Sequence, residues 1–207
     1  MHSFNLQYDH VKDVNEHRMY RLRLKATSTP VEAAEWNHKF DLFLRASFER
    51  TQSYFNPLDH CPDVLVFESP YQSIITAALM SRYIPEEDNL YVCFLSVLPE
   101  YRQYGLAKNL LNAIILQAYD NDIKQVTLNV NVENIKAIKL YTKCGFRCTK
   151  YIRDYYASNP QPHLDGYYMT LMIKYIRSPP LICKKEKAVL IPSDIEVEYA
   201  EQCAKDK

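Results

Sequence analysis

The sequence is poor in glycine, with three in 207 residues, where an average chain of this length has about 14. Gly105 follows an apolar run that ends at Pro99, and a long amphipathic pattern begins near Gln103 or Tyr104. A glycine at this junction indicates a backbone requirement. A helix N-terminus presents unpaired N–H groups and the positive end of a dipole, and small residues there let a polyanion approach. The junction therefore predicts a pyrophosphate site.

Other absences restrict the class of protein. The charges balance, with 25 basic and 25 acidic residues, which gives no support to a general nucleic-acid surface. No stretch approaches 18 apolar residues, and no apolar leader follows Met1. We therefore expect no transmembrane segment and no signal peptide. The expected location is cytoplasmic, with association at a membrane surface left open.

The six cysteines are scattered along the chain, without a Cys-x-x-Cys pair or a nearby histidine of the kind that zinc sites use. This spacing predicts buried free thiols in a reducing compartment and no metal. The spacing also gives no reason to expect a catalytic cysteine.

Hydrophobic periodicity predicts one domain over residues 19–176, between a loose N-terminal arm at 1–18 and a poorly ordered tail at 177–207. Period-two and apolar runs predict strands at 19–26, 63–68, 72–83, 90–98, 125–132, 146–156 and 166–176. Helical spacing predicts helices over 31–52, from about 103 to 119, and from Asn134 to Gly145. This order predicts a mixed α/β fold with a central, mostly antiparallel sheet of about six to seven strands and helices on both faces.

Two motifs follow one another at a spacing of about 30 residues. The first is Arg102-x-x-Gly105-x-Ala107, and the second is Asn134 followed by Tyr141 and then by Cys144-Gly145-Phe146. Together with the element order they resemble the GNAT acetyltransferase superfamily over about residues 19–176. A Rossmann nucleotide site is not favoured, because the first βα unit has no Gly-x-Gly-x-x-Gly.

This resemblance implies acetyl-CoA as co-substrate and no metal. The pyrophosphate would bind the backbone amides of Gln103, Tyr104, Gly105, Leu106, Ala107 and Lys108. The preceding strand would contribute Leu95, Ser96 and Val97, with the N–H of Leu95 or its neighbour polarising the thioester carbonyl. The later helix would contribute Asn134 and Tyr141, and Tyr141 would donate a hydrogen bond to the departing thiolate.

Within the superfamily, the sequence is similar to the NatE- and NatF-type N-terminal acetyltransferases. The similarity rests on Leu90-Tyr91-Val92, on Pro30-Val31-Glu32 with Trp36 after it, and on the pair Tyr155-Tyr156. It implies that a protein or peptide N-terminus binds against Pro30, Val31, Glu32, Cys93, Tyr155 and Tyr156. Thr29 stands where that family has a phenylalanine.

The sequence departs from this family at Asn129, where a histidine is expected, and asparagine cannot take up a proton near neutral pH. A free α-amino group has a pKa of about 7.7–8.0, so about a tenth is neutral at pH 7, whereas lysine starts near 10.4. We therefore expect N-terminal acetylation, with Tyr91 and Asn129 holding a water that relays the amine proton.

Other interpretations stay open at this point. The enzyme could acetylate lysine or a small-molecule amine, or the chain could be a catalytically weak CoA-binding subunit that docks on a partner. Subunits of an acetyltransferase complex and the ribosome are the partners considered. Tyr91, Asn129, Tyr155 and Tyr156 could also serve only in packing or in strand hydrogen bonding.

Overall fold

The computed structural model describes residues 5–25, 30–47, 63–69, 71–156 and 165–176. Within these residues lie eight strands and three α-helices. The strands are β1 (Asn5–Val14), β2 (His17–Lys25), β3 (Asp63–Glu68), β4 (Ile75–Ile84), β5 (Asn89–Val97), β6 (Gln125–Asn131), β7 (Arg147–Ile152) and β8 (Gly166–Met172). The helices are α1 (Pro30–Ser47), α2 (Leu106–Asp120) and α3 (Ile135–Lys143), and short 3-10 turns cover Pro85–Glu87, Pro99–Tyr101 and Ile173–Tyr175.

The strands are ordered β1-β2-β3-β4-β5-β6-β8-β7 in one sheet. The ladders β1–β2, β2–β3, β3–β4, β6–β8 and β7–β8 are antiparallel. Strands β5 and β6 are parallel, with Asn89–Val92 opposite Gln125–Leu128. The predicted mixed α/β fold with a mostly antiparallel sheet is confirmed, and the eight strands exceed the predicted six to seven by one.

Contacts divide the chain into two compact units. The first takes its described residues from 1–82 and 93–110, and the second from 83–92 and 111–207. In the first unit, Phe40 and Phe43 of α1 pack on alternate residues of β3 and β4. These strand residues are Val64, Val66, Ala78 and Met80. The intervening Leu65, Phe67 and Leu79 are also fully buried, so both faces of these strands are covered, which explains their nearly continuous apolar sequence.

In the second unit, the core lies on the ladder between β6 and β8. Val126 stands opposite Leu171, Leu128 opposite Met169, and Val130 opposite Tyr167, and all six side chains are buried. Because side chains alternate between the faces of a strand, the intervening Asn129 points to the other face. One face of β6 therefore carries the apolar core residues, and the other face carries polar side chains such as Asn129.

The expectation of a loose N-terminal arm is wrong for its described part, because residues 5–14 form β1, which pairs with β2. Asn15 and Glu16, with φ of 47° and 68°, make the two-residue turn between them, as hairpin turns with two left-handed residues require. A register shift between His10 and Lys12 interrupts the alternation, which hides the strand from a periodicity search. The tail at 177–207 lies outside the described residues.

Several predicted boundaries shift at residues with a left-handed backbone. Helix α2 begins at Leu106 rather than near Gln103, because Gln103 and Gly105 have φ of 70° and 77°. Strand β7 ends at Ile152 rather than Tyr156, and Asp154 in the turn after it has φ of 54°. Positive φ is incompatible with helix or strand continuation for ordinary residues.

Candidate active site

The segment from Arg102 to Lys108, here called the cradle loop, leads from β5 into α2. Gly105 adopts a φ of +77°, and a Cβ placed on it would meet only Asn109 Nδ2, at 3.7 Å. The glycine is therefore needed for its backbone conformation, while the space beside it is open. Gln103, Tyr104, Gly105 and Lys108 are exposed, Ala107 is half-buried and Leu106 is buried. An open loop that enters a helix has the features predicted for anion binding.

Hydrogen bonds from neighbouring residues hold the cradle loop in shape. The backbone N–H and the side-chain Nδ2 of Asn109 both donate to the carbonyl oxygen of Gly105, each at 3.0 Å. Arg102 Nε donates to the carbonyl oxygen of Val97 at 3.1 Å, which ties the loop to the end of β5. The loop conformation is therefore set before any ligand binds.

The β1–β2 hairpin, which the sequence did not connect with this site, contacts the cradle loop directly. Asn15 Nδ2 donates to the carbonyl oxygen of Tyr104 at 2.9 Å, and Lys12 Nζ donates to Asn109 Oδ1 at 2.7 Å. The ring of buried His17 lies edge-on to Tyr101, at 5.4 Å between centroids, and 6.2 Å from Tyr104. The hairpin turn thus supports the loop from the side of the N-terminal strands.

Strand β5 carries further residues of the predicted site. Leu95, Ser96 and Val97 are half-buried at its C-terminal end, and the ladder with β6 covers the four residues at its start. Cys93 is half-buried and forms a disulfide whose partner is not among the described residues. The expectation of free thiols is therefore wrong for Cys93. Cys144 is buried and Cys148 half-buried, and neither is disulfide-bonded.

The second group of predicted residues forms a set joined by hydrogen bonds and one ring contact, here called the tyrosine cluster: Tyr91, Asn129, Tyr155 and Tyr156. Asn129 Nδ2 lies 2.8 Å from the hydroxyl of Tyr91 and 2.8 Å from that of Tyr155, and donates to both. The two hydroxyl oxygens are 3.4 Å apart. Tyr156 stacks edge-on against Tyr155, with 4.8 Å between ring centroids. Residues that are far apart in sequence thus meet in this unit.

One detail differs from the expected arrangement. Tyr91 and Asn129, which are expected to hold a water, are bonded directly to each other at 2.8 Å. Asn129 Oδ1 is buried and has no hydrogen-bond partner among the described residues.

Gly166, which the sequence analysis did not use, allows Tyr155 to lie where it does. A Cβ on Gly166 would stand 3.0 Å from Tyr155 Cβ, 3.1 Å from its Cγ and 3.2 Å from its Cδ1. These separations are shorter than ordinary carbon contacts, so only glycine fits. The scarcity of glycine was the available signal, since it points to a backbone reason at each of the three positions.

Asp165 fixes the turn that carries Tyr155 and Tyr156. Its Oδ1 accepts a hydrogen bond of 2.9 Å from the N–H of Asp154, and its Oδ2 accepts one from the hydroxyl of Tyr151. Its carbonyl oxygen accepts from Val132 N–H at 3.1 Å. A single residue therefore joins the turn, β7 and the end of β6, which holds the phenol of Tyr155 against Asn129.

Two of the predicted site residues, Tyr141 and Tyr156, have raised pKa values. Burial, and to a smaller degree the nearby Cys144, raises the pKa of Tyr141 to about 12. Burial raises the pKa of half-buried Tyr156 as well, followed by its neighbours Tyr155, Tyr91 and Tyr141. Both hydroxyls therefore stay protonated near neutral pH.

Helix α3 is defined at both ends by capping interactions. Asn134 Oδ1 accepts a hydrogen bond from Ala137 N–H at 3.1 Å, so this oxygen serves the helix N-terminus. At the other end, Gly145, with φ of 91°, donates to Thr142, and Phe146 N–H donates to the carbonyl of Tyr141 at 3.0 Å. This is a Schellman motif, and it ends the helix where the sequence predicts, at Gly145.

Pro30, Val31 and Glu32, predicted to line a peptide pocket, form the first turn of α1. Proline is favoured at this position because its N–H would have no helical partner. Thr29 lies outside the described residues. The structure thus places Pro30, Val31 and Glu32 at a helix start.

Two further findings concern the described residues as a set. They contain no group of three or more His, Cys, Asp or Glu side chains that could hold a metal ion. Among the helices that the structure describes, none combines the length and the apolar character needed to cross a membrane.

The strand-to-helix cradle, the mixed sheet and the capped helix after β6 together define an acetyltransferase domain of the GNAT type. The chain belongs to the acetyltransferase (GNAT) family, whose pattern it matches over residues 29–146. It is 37% identical over 76 residues to an N-alpha-acetyltransferase of Saccharolobus solfataricus, covering 36% of this chain and 45% of that protein.

Two further comparisons extend this finding. The chain is 32% identical over 95 residues to the histone acetyltransferase MCC1 of Arabidopsis thaliana, covering 45% of this chain and 38% of that protein. The chain therefore spans less than half the length of these two relatives. A crystal structure of the NatC complex bound to Gag peptide and CoA includes a chain with the same fold, at a TM-score of 0.59 and 19% identity, covering 81% of this chain and 98% of that one.

Proposed function

We propose that this protein transfers the acetyl group of acetyl-CoA to the free α-amino group of protein N-termini. The tyrosine cluster carries the proposal, because it brings Asn129 and the phenols of Tyr91 and Tyr155 into direct hydrogen bonds with one another. The cluster has no carboxylate or imidazole among its four members. The cluster therefore suits an amine substrate that is already partly neutral and does not need a strong general base.

The ordinary pKa values of the two protein amines support the choice of substrate. An α-amino group with a pKa of about 7.7–8.0 is already partly neutral at pH 7, whereas a lysine side chain near 10.4 is neutral in fewer than about one molecule in a thousand. The pKa of the N-terminal amine is more than two units below that of lysine. Because the cluster has no imidazole or carboxylate to take up a proton, the amine with the lower pKa is the better substrate.

The reaction needs no covalent intermediate on the protein. The amine nitrogen attacks the thioester carbonyl carbon, the C–N bond forms, and the C–S bond breaks to release the CoA thiolate. Tyr141, protonated because its pKa is raised to about 12, donates a hydrogen bond to that thiolate. The amine proton leaves through a water bound to the hydroxyl of Tyr91.

The cradle loop fits the pyrophosphate of acetyl-CoA. The loop is exposed, Gly105 leaves open space beside its backbone, and the N–H groups of the first turn of α2 are the donors that helix N-termini offer to phosphates. Leu95 and its neighbours on β5 are proposed to polarise the thioester carbonyl, and Asn134 and Tyr141 to contact the lower part of CoA. Pro30, Val31, Glu32 and Cys93 are proposed to contact the peptide.

Named relatives support both the leading proposal and one alternative. The Saccharolobus protein is named as an N-alpha-acetyltransferase, which favours N-termini. MCC1 is named as a histone acetyltransferase, and this favours lysine as the second candidate acceptor. Partner subunits, the ribosome and a cytoplasmic location remain predictions.

Two matched peptides distinguish the candidates. One has a free N-terminus and no lysine, and the other has a blocked N-terminus and one internal lysine. After incubation with acetyl-CoA, mass spectrometry should find the acetyl group on the first peptide, with Tyr91→Phe reducing the rate at least tenfold. Acetylation of the lysine peptide alone would reject N-terminal transfer in favour of the second candidate.

A further inference from the structure

Asn129 presents one unsatisfied polar atom in the tyrosine cluster. Its Nδ2 has two hydrogens, and the hydroxyls of Tyr91 and Tyr155, each at 2.8 Å, account for both. These two bonds fix the orientation of the amide plane and therefore the position of Oδ1. That oxygen is buried and accepts no hydrogen bond from the described residues.

A buried carbonyl oxygen without a donor is uncommon, because more than about nine-tenths of buried polar groups are paired. Leaving one unpaired costs the desolvation of that group. A comparison within the same pair of strands shows the usual arrangement. Asn89 and Thr127 are fully buried, and their side chains exchange hydrogen bonds of 2.8 and 3.0 Å. Asn129 therefore differs from the Asn89–Thr127 pair on the same two strands.

The chemistry around Oδ1 selects the kind of donor. The oxygen can only accept a hydrogen bond. An ammonium or amine nitrogen can donate one, and an ionised carboxylate cannot. Gly166 and Asp165 hold Tyr155 in place, so this arrangement is built into the turn.

We propose that Asn129 Oδ1 accepts a hydrogen bond from the reacting amino group of the substrate and so binds and orients that group. This inference rests on the proposed function, and it gives Asn129 a substrate-binding role in place of the basic role that a histidine would have. The side chain holds one N–H of the amine while the proton that is lost leaves by way of Tyr91.

Binding measurements separate this role from a structural one. The ligand pair is a peptide with a free α-amino group and its desamino analogue, in which hydrogen replaces that group. Both are titrated calorimetrically into the protein loaded with CoA, so that no turnover occurs. We expect the wild type to prefer the amine by about 10- to 100-fold, the worth of one hydrogen bond to a charged group.

We expect two substitutions at Asn129 to have opposite effects on the preference for the amine peptide. Asn129→Leu should reduce the preference to below about threefold. Asn129→Asp keeps an acceptor oxygen and can accept from both phenols, so it should retain or increase the preference. Thr127→Val is the matched control, because it removes a buried polar group of the same strand whose partner is internal, and it should leave the preference unchanged.

Three results would overturn the inference: a wild type that does not distinguish the two peptides, an Asn129→Leu variant that distinguishes them as the wild type does, or an Asn129→Asp variant that fails as Asn129→Leu does. The last would show that the donor Nδ2 is what matters. If the acetylation assay rejects N-termini, the same ratio is measured with a lysine peptide and its norleucine analogue. The acceptor role of Asn129 then stands or fails independently of the proposed substrate.

Discussion

At the residue scale, Gly166 controls whether Tyr155 can reach Asn129. We predict that Gly166→Ala lowers acetyl transfer at least tenfold and stability by about 1–3 kcal/mol, because the new methyl group displaces Tyr155 from its 2.8 Å bond to Asn129. Steady-state rates and urea unfolding measure both effects. If the clash is the cause, the further change Tyr155→Gly should recover much of the lost stability. Additive losses in the double variant would contradict this account.

Asn134 is a second residue whose side chain has a defined structural role, because its oxygen caps the N-terminus of α3. We predict that Asn134→Ala lowers the free energy of unfolding by about 1 kcal/mol, whereas Asn134→Ser, which can still cap, costs much less. Urea unfolding measures the stability, and titration with CoA measures the proposed cofactor contact. Equal stability of the two variants would argue against the cap, and a loss of CoA affinity in both would support the cofactor role.

At the scale of elements, the β1–β2 hairpin supports the cradle loop through Lys12 and Asn15. We predict that Lys12→Met and Asn15→Ala each weaken CoA binding by about three- to tenfold, because a loop that is ordered in advance loses less entropy on binding. Isothermal titration measures the affinity. Tyr71→Phe is the control, because its exposed hydroxyl bonds to Glu16 on the same hairpin turn. An unchanged CoA affinity in Lys12→Met and Asn15→Ala would show that the hairpin does not support CoA binding by the cradle loop.

At the scale of the whole molecule, the raised pKa of Tyr141, about 12, links stability to alkaline pH. The unfolded phenol ionises near 10, while the folded one stays neutral until about 12. The contribution of the neutral Tyr141 phenol to the free energy of unfolding is therefore fully present below pH 10. It is lost as the pH rises from 10 through about 12. We predict that the wild type loses about 1.4 kcal/mol more than Tyr141→Phe between pH 8 and pH 11. Equal losses, measured by urea unfolding, would reject the linkage.

The order of the elements from β2 onward, the end of a helix at Gly145 and the backbone requirement at Gly105 could all be predicted from the sequence. Each depends on residues within one or two turns of chain, where periodicity and backbone sterics apply directly. Strand β1 could not, because a register shift interrupts its alternation and Asn-Glu rather than Asn-Gly forms its turn. The free-thiol expectation for Cys93 failed because spacing along the chain does not report which residues approach in space.

The sequence by itself determined the family and the set of side chains that carry the proposed chemistry, because motifs of a few residues encode local backbone geometry. The tertiary structure determined how those side chains are used. It placed Asn129 38 residues from Tyr91 along the chain in direct contact with it, brought Lys12 to Asn109 across 97 residues, and fitted Tyr155 against Gly166. Such contacts depend on strand register and close packing, which no local pattern specifies.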